Sequence, residues 1–307
     1  MYDIIGDVHG YATLLKKLLL EMGYIKTENV YAHPTRKAIF VGDFVNRGPE
    51  IRKTIRIIRK MVENDNALAV LGNHEINAII YHLKDKRGLP LVNSSQKNFF
   101  SLYKTVNQFP TEKREEWKSH LKWMRELPLF LDLGNIRIVH ACWSDQAIET
   151  IYKAEQVGMS RKKIFRNVYL KPKSELSRSV NTLTKGIDFK MPADMKIVNN
   201  KGISARSFRM RWWEETEGKT FEDISFESKF RLPQYNIPRQ LVPEHSPYPD
   251  SAPIVFFGHY CRFNGPFIIK PNICCVDSCV TGTKNLTAYR WDGEKRLIDE
   301  NLVVARL

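Results

Sequence analysis

The sequence predicts an α/β fold, and three observations support this. Apolar runs of strand length end at Ile5, Val41 and Leu71, and amphipathic runs of helical length lie between them. Strands that alternate with helices in this way are typical of parallel βαβ units. The chain has 307 residues, of which 43% are hydrophobic, and this is enough for one large core. No apolar run approaches the roughly 20 residues of a membrane span, so we predict no membrane partner.

The first 80 residues are predicted as strand, helix, strand, helix, strand and helix. Leucines at helical spacing predict the first helix over residues 11–22, which Gly23 ends. Pro49 suits the first position of the second helix, whose apolar stripe runs through residues 51–62. Because the carboxyl ends of parallel strands gather at one edge of a sheet, we expect the loops after these strands to lie close together.

The rest of the chain is predicted as a helical flank, a hairpin and a few late strands. Residues 85–128 are mostly polar at helical spacing, and we interpret them as a solvated flank without a binding role. Residues 129–133 and 136–140 predict a β-hairpin across Gly134 or, alternatively, the ends of two sheet strands. Further strands are predicted at 254–257, 273–276 and 286–291.

The formal net charge of +14 favours anionic partners, such as phosphorylated substrates, nucleotides or nucleic acid. A solvated basic surface is the alternative, and charge alone does not choose between them. Many lysines and arginines lie in a long, irregular stretch between His140 and His259. We predict a single domain of residues 1–307, with residues 150–250 as a basic, cap-like insertion.

The cysteines indicate a reducing compartment. Their odd number and the lack of a framework spacing favour reduced thiols, and hence a cytoplasmic protein. The chain runs from Met1 directly into a strand, so we expect no signal peptide. The five cysteines are Cys142, Cys261, Cys274, Cys275 and Cys279.

Each of the first three predicted strands runs into a loop that begins with glycine and carries oxygen or nitrogen donors. Carboxylate, imidazole and amide groups bind divalent cations, and an arginine binds anionic oxygens bidentately. Two later strands end in His140 and His259. The three loops read Gly6-Asp7-Val8-His9-Gly10, Gly42-Asp43-Phe44-Val45-Asn46-Arg47-Gly48 and Gly72-Asn73-His74-Glu75.

These motifs resemble the signature of the calcineurin-like metallophosphoesterases. The most similar branch is that of the phosphoprotein phosphatases, including bacterial serine/threonine phosphatases, with the bacterial relatives that hydrolyse diadenosine tetraphosphate symmetrically. The resemblance implies a central β-sandwich of mixed sheets flanked by helices, a four-layer fold, with the cap inserted into it. It also implies two divalent metal ions, Mn²⁺ in the first place with Fe or Zn as alternatives. The implied ligands are Asp7, His9 and Asp43 for one metal and Asp43, Asn73, His140 and His259 for the other.

The resemblance further implies hydrolysis by a hydroxide that bridges the two metals, without a covalent enzyme intermediate. Arg47 is then expected to bind the phosphoryl oxygens, and His74 to donate a proton to the leaving oxygen. Asn46 stands where the phosphoprotein phosphatases have an aspartate that pairs with this histidine. An amide cannot stabilise an imidazolium as a carboxylate does. We therefore hypothesise that His74 has a lower pKa than in the family, and that the enzyme either is slower or prefers substrates with good leaving groups.

A second substrate-binding arginine is expected before His259, and the segment 204–213 offers three arginines. We favour Arg209, followed by Arg206. Strand alternation places Arg209 and Arg211 on one face, with aromatic residues and a methionine on the other. Basic residues interleaved with aromatic ones also suit stacking on nucleobases.

The sequence therefore predicts a binuclear metal-dependent phosphatase that acts on a phosphorylated small molecule, a nucleotide or a phosphoprotein. A dinucleoside polyphosphate hydrolase is the alternative, and the metal motifs cannot separate the two because both use the same core. A nucleic-acid-binding module that uses the basic cap is an alternative of another class, whose binding would weaken steeply with salt. A non-catalytic relative is a third interpretation, which the complete set of metal ligands disfavours.

Overall fold

A computed structural model gives the arrangement of these elements. It describes residues 1–92, 96–193, 195–199, 202–226, 230–241, 245–262, 265 and 267–307. The α-helices are α1 Ala12–Glu21, α2 Ile51–Glu63, α3 Asn73–Tyr81, α4 Gln96–Asn107, α5 Arg114–Glu126, α6 Asp145–Gln156, α7 Arg161–Leu170, α8 Glu175–Lys185, α9 Phe221–Ile224 and α10 Val280–Thr283, with 3₁₀ turns at Thr111–Lys113, Arg239–Leu241 and Asp299–Asn301. The strands are β1 Tyr2–Ile5, β2 Ile25–Thr27, β3 Val30–Ala32, β4 Lys37–Phe40, β5 Ala67–Ala69, β6 Phe130–Asp132, β7 Ile136–Val139, β8 Asp188–Lys190, β9 Ile197–Asn199, β10 Ser204–Ala205, β11 Ser207–Arg209, β12 Phe230–Arg231, β13 Ile254–Phe257, β14 Ile268–Lys270, β15 Ile273–Cys275, β16 Asn285–Trp291 and β17 Leu302–Arg306.

Two five-stranded mixed sheets form the centre of the protein. The first has the order β17-β16-β1-β4-β5, in which β1, β4 and β5 run parallel and β16 pairs antiparallel with both β1 and β17. The second has the order β14-β15-β13-β7-β6, in which β7, β13 and β15 run parallel. The predicted α/β fold with mixed sheets is confirmed, and so is the predicted hairpin, because β6 and β7 pair antiparallel.

The alternation of side chains along each strand divides the core into two parts. Ile4 and Ile39 of the first sheet pack with Ile138 and Phe256 of the second, in a cluster that lies between the sheets. Their neighbours in the strands, such as Phe40, belong to a larger cluster that includes the helices. Because successive side chains of a strand point to opposite faces, each sheet packs against its partner on one face and against helices on the other.

The predicted cap consists of two different parts. Helices α7 and α8 contribute buried side chains such as Phe165 and Leu183 to the main core. The short strands that follow α8 enclose a separate small cluster around Phe189, Phe208 and Phe221. Residues 150–185 are therefore packed into the main body, while the later part has a core of its own. The boundaries of the cap, 150–250, stay a prediction.

The prediction that all cysteines are reduced is wrong for two of them. Cys261 and Cys279 form a disulfide, with their Cα atoms 5.0 Å apart. The loops after β13 and β15 bring these residues together, and a sequence separation of 18 residues gave no sign of this. Cys142, Cys274 and Cys275 are free and buried, as expected for small apolar residues. The cytoplasmic location, which rested in part on reduced thiols, stays a prediction.

None of the helices in the described part of the chain is long and apolar enough to cross a bilayer.

Candidate metal centre

The predicted metal ligands meet at one edge of the two central sheets. Each of them follows a strand: Asp7 and His9 come after β1, Asp43 after β4, His140 after β7 and His259 after β13. Asn73 begins α3 soon after β5. Both sheets present the carboxyl ends of parallel strands at this edge, which is where functional loops of such sheets gather.

The Asp43 carboxylate lies at the middle of the cluster. Its Oδ2 atom is 3.5 Å from Nε2 of His9 and 3.9 Å from Nε2 of His74. Its Oδ1 atom is 3.4 Å from Nε2 of His140. Ligand atoms of His9, Asp43 and His74 all lie within 4.8 Å of one another, and the same holds for Asp43, His140 and His259. One buried carboxylate thus joins two groups of donors.

Asn73 and Asp7 complete the arrangement. The Oδ1 atom of Asn73 is 3.2 Å from Nε2 of His140. The Asp7 carboxylate accepts a hydrogen bond from the backbone N–H of His259, at 3.3 Å to Oδ1 and 3.1 Å to Oδ2. Gly258 is required at this contact, because a Cβ atom there would lie 2.0 Å from Oδ1 of Asp7. All six predicted ligands are therefore close together, although their roles as ligands stay a prediction.

Backbone hydrogen bonds fix the tautomers of two histidines. The carbonyl oxygens of Val41 and Val45 can only accept, and they lie 2.8 Å from Nδ1 of His140 and 3.2 Å from Nδ1 of His9. Nδ1 of each ring therefore carries a hydrogen, so Nε2, which lies towards Asp43, is the atom left to bind a metal. This is the orientation that a histidine ligand of a metal needs.

His259 gives a direct test of whether the residues fit a metal ion. Its Nε2 atom is buried and has no hydrogen-bond partner among the described residues. A buried polar atom without a partner costs about 1–3 kcal/mol. A cation between this imidazole and the Asp43 carboxylate would supply the missing interaction, so the residues fit a metal.

The electrostatics of the cluster agree with this interpretation. Burial lowers the pKa of His9 to about 3 and lowers the pKa of His259 well below its usual value, so both rings are neutral, as metal ligands are. Burial and the neighbouring Asp277 carboxylate raise the pKa of Asp7. Burial opposes the charged form of His140, but the Asp43 carboxylate outweighs it and raises the pKa to about 10. The carboxylates of Asp7, Asp43 and Asp277 are all buried, so they require cations nearby, and bound divalent ions would supply them.

The loops are held in backbone conformations that most residues avoid. The φ angle is positive at His9 (44°), Asp43 (51°), Asn46 (66°), Arg47 (66°) and His259 (62°). Such conformations cost of order 1–3 kcal/mol each and cluster at functional sites. Five of them among the predicted site residues indicate that the fold stabilises a geometry that is unfavourable locally.

Glu75 holds two of these loops together. Its side chain is fully buried. Its Oε2 atom accepts hydrogen bonds from the backbone N–H groups of Asp43 (2.8 Å) and Gly72 (3.0 Å), and its Oε1 atom from those of Phe44 (2.9 Å) and Val45 (3.1 Å). One carboxylate therefore satisfies four buried donors and fixes the loop after β4 against the start of α3.

His74 lies between Asn46 and Arg47, as the resemblance implied. The Asn46 amide contacts Nδ1 of His74 at 2.8 Å, and Nη2 of Arg47 lies 3.3 Å from Nε2. Burial lowers the pKa of His74, and the Asp43 carboxylate opposes this. This lowering comes from burial and not from Asn46, so the hypothesis of a pKa lower than in the family stays a prediction, as do the roles of the three residues.

The predicted helical flank contributes to this site, which the sequence did not indicate. Thr105 of α4 accepts a hydrogen bond from the backbone N–H of Asn46 at 3.1 Å, and its hydroxyl donates to Oδ1 of Asn46 at 2.5 Å. The ammonium group of Lys104 donates to the carbonyl oxygen of Arg47 at 2.8 Å. A single threonine in a polar helix carries no motif, so only the packing of α4 on this loop could identify it.

The two arginines predicted to bind substrate, Arg209 and Arg206, lie in different environments. Nη1 of Arg209 donates to the carbonyl oxygen of His259 at 3.1 Å, and its guanidinium lies 5.1 Å from the centre of the Tyr260 ring. Arg206 is exposed on the turn between β10 and β11. Arg209 is thus the arginine that borders the metal centre. The aromatic side chains of this segment, including Trp212, are buried and do not offer their faces to a nucleobase.

Comparison with known proteins gives a family match over most of the chain. The family described as calcineurin-like phosphoesterase matches residues 2–263. The chain is 31% identical over 146 residues to the asymmetrical bis(5′-nucleosyl)-tetraphosphatase of Oceanobacillus iheyensis, covering 45% of this chain and 54% of that protein. It is 26% identical over 310 residues to the symmetrical bis(5′-nucleosyl)-tetraphosphatase of a Marinomonas species, covering 95% of this chain and 94% of that protein. The match to the Oceanobacillus protein and to its counterpart from a Geobacillus species spans only about half the length of each of these two relatives.

A solved structure shows the likeness of the fold. The cold-active protein-tyrosine phosphatase of a psychrophilic Shewanella species superposes with a TM-score of 0.53 at 14% identity. The superposition covers 94% of this chain and 75% of that chain. At this identity the comparison concerns the fold alone.

Proposed function

The chain belongs to the calcineurin-like phosphoesterase family, and from this we propose that it is a metal-dependent phosphohydrolase that cleaves a phosphate ester at the cluster around Asp43. One observation carries the proposal. The Asp43 carboxylate is shared by two groups of buried or half-buried donors, and the Nε2 atom of His259 in one group has no hydrogen-bond partner in the described part of the chain. A bridging carboxylate between two donor groups is what a pair of cations requires.

The residues that would hold the metals follow the assignment made from the sequence. His74 lies near enough to His9 and Asp43 to be a metal ligand with them. Its Nε2 atom faces Arg47, however, so we assign His74 to substrate binding and proton transfer rather than to the metal. Two divalent cations here would neutralise phosphoryl charge and activate water for attack on phosphorus. We place Mn²⁺ first, with Fe or Zn as alternatives, because the donors are carboxylate, imidazole and amide. The proposed ligands are Asp7, His9 and Asp43 for one ion and Asp43, Asn73, His140 and His259 for the other.

The chain's own side chains would act on the phosphoryl group and the leaving oxygen. The guanidinium of Arg47 would bind phosphoryl oxygens and stabilise the charge that spreads over them. His74 would donate a proton to the leaving oxygen, with its ring held by Asn46. Arg209, fixed on the carbonyl of His259, would bind the substrate from the side of the cap.

A dinucleoside polyphosphate is the second candidate substrate. The relatives that carry the names of bis(5′-nucleosyl)-tetraphosphatases favour it, and so does the net charge of +14. A phosphorylated small molecule or a phosphoprotein uses the same centre, so the choice depends on surfaces outside it. A nucleic-acid partner for the basic cap and a cytoplasmic location stay predictions.

A panel of substrates tests the proposal. The purified full chain, loaded in turn with Mn²⁺, Fe²⁺ and Zn²⁺, would be assayed on 4-nitrophenyl phosphate, a phosphopeptide and diadenosine tetraphosphate. Asp43→Asn is expected to lose both activity and bound metal, as measured by elemental analysis. Asp250→Asn, at an exposed carboxylate, is the matched control and should keep both. Inactivity of the wild type on every substrate with every metal would overturn the proposal.

A further inference from the structure

A pocket of about 340 Å³ lies among helices α3, α7 and α8. Its walls are mixed in character. Apolar side chains, including Ile80 and Val168, are joined by the rings of Tyr81 and Tyr169. The polar groups are the amides of Asn77 and Asn181 and the ammonium of Lys185. Ligand sites typically have a volume of about 300–1,000 Å³, with apolar walls and a few polar groups that fix orientation.

One wall of the pocket is continuous with the metal centre. Asn73 and His74 begin α3, and Asn77 follows them by four and three residues. Residues at these spacings lie on the same face of a helix, and Tyr81 continues the same stripe by one more turn. The face of α3 that carries the predicted metal ligand and the predicted proton donor therefore runs directly into the pocket.

The opposite wall is anchored to the same centre. The carbonyl of Leu183 in α8 accepts a hydrogen bond from the N–H of Ala141, the residue after His140, at 2.9 Å. Gly186, which follows Lys185, packs so closely on Tyr260 that a Cβ atom would lie 2.1 Å from its hydroxyl oxygen. Helix α8 and the glycine that ends it are thus fixed to residues beside the predicted ligands His140 and His259.

The chemistry of the walls suits a flat, heteroaromatic group. Tyrosine rings offer faces for stacking, worth about 1–3 kcal/mol for each base in nucleic-acid complexes. A carboxamide carries both donors and an acceptor, which is what the edge of a nucleobase requires. Lys185, which precedes the Gly186 that packs on Tyr260, adds a cation. A phosphoserine side chain has no aromatic face for the tyrosine rings, and a phosphotyrosine ring has no donors or acceptors on its edge for the two amides.

We propose that this pocket binds the nucleoside part of a nucleotide substrate while a phosphate of the same molecule lies at the metal centre. The inference rests on the proposed function, since it assigns the substrate class of the same site. The amides of Asn77 and Asn181 read the edge of the base, and Lys185 faces the ribose or the phosphates.

The first experiment measures binding without catalysis. Adenosine carries no phosphate and needs no metal, so its binding to the EDTA-treated full chain can be followed by saturation-transfer NMR. We expect a signal with the wild type that falls about 3- to 10-fold in Asn181→Leu, the loss expected for one or two hydrogen bonds. Asn77→Leu is a second variant at an exposed position of α3, in case Asn181→Leu does not fold. Gln156→Leu, at an exposed position of α6 outside the pocket, is the matched control.

The second experiment compares two phosphomonoesters on the metal-loaded enzyme. Adenosine 5′-monophosphate has a nucleoside, whereas 4-nitrophenyl phosphate offers only the phosphate and a phenol. We expect Asn77→Leu and Asn181→Leu to raise KM for the nucleotide about 3- to 10-fold and to leave KM for the aryl ester unchanged. Diadenosine tetraphosphate in a third arm distinguishes a dinucleotide from a mononucleotide, and a KM increase for either one supports the pocket.

The outcomes separate this inference from the proposed function. If the wild type hydrolyses 4-nitrophenyl phosphate but adenosine shows no saturation transfer, the pocket assignment is overturned and the phosphohydrolase stands. The assignment is also overturned if both variants raise KM equally for the nucleotide and the aryl ester. If no ester is hydrolysed while adenosine still binds and Asn181→Leu weakens it, the proposed function fails and the nucleoside site remains.

Discussion

Replacing Glu75 by glutamine should destabilise the protein strongly, although the two side chains have the same shape. The carboxylate accepts four backbone hydrogen bonds of 2.8–3.1 Å, two at each oxygen. Glutamine keeps one acceptor oxygen and turns an NH₂ group towards the other two N–H donors. Two buried donors without a partner cost about 1–3 kcal/mol each, which gives about 2–6 kcal/mol.

One effect opposes this loss. Burial and the neighbouring Asp43 carboxylate raise the pKa of Glu75 to about 7, so removing its charge relieves some repulsion. We therefore expect a net loss in the lower part of the range, about 2–4 kcal/mol, out of the roughly 5–15 kcal/mol by which native domains are stable.

Urea denaturation followed by circular dichroism would measure the change. The protein should be treated with EDTA, because metal that binds only the native state would add its own stabilisation. Glu50→Gln is the matched control, since its Oε2 atom accepts one N–H bond from Thr13 at 2.8 Å at a partly exposed site. The control should lose less than about 1 kcal/mol. A Glu75→Gln loss no larger than that of the control would refute the anchoring role.

Three further predictions concern side chains around the centre. Thr105→Val should lower kcat about 10-fold with little change in KM, because Asn46 loses both of its hydrogen bonds to Thr105, while Thr105→Ser should keep the wild-type rate; equal losses in both would contradict a hydrogen-bonding role. Asn46→Asp should raise the rate on alkyl phosphates relative to aryl phosphates, because a carboxylate stabilises the imidazolium of the proton donor; an unchanged ratio would count against it. Arg209→Lys should raise KM about 10-fold for every phosphate ester, because a lysine cannot bind two oxygens at once, whereas Arg206→Lys should not; similar effects of the two would mean that neither arginine is special.

The apolar strands near the end of the chain and the helices of the first 80 residues could be predicted from the sequence, because their apolar spacing is local and regular. The same holds for the motifs that carry the predicted metal donors, since glycine-led loops after strands can be recognised without a partner.

Other features depend on residues far apart in the chain. Thr105 lies 59 positions from Asn46, and Cys261 and Cys279 meet only because β13 and β15 are neighbours. The nucleoside pocket likewise needs α3 beside α7 and α8, and no periodicity records that contact.

The sequence by itself determined which chemical groups the protein carries and on which local elements they stand, because side-chain type and strand or helix spacing are properties of short segments. The family resemblance implied that Asp43 belongs to both sets of donors, and Arg209 was favoured over Arg206, but only the tertiary structure decided which groups share a space. It places Asp43 between two sets of donors and Arg209 beside the centre, and it shows that a helix expected to be solvated supports Asn46. The physical reason is that these contacts are fixed by the packing of two sheets and their helices, and each contact joins residues whose separation along the chain has no relation to their distance in space.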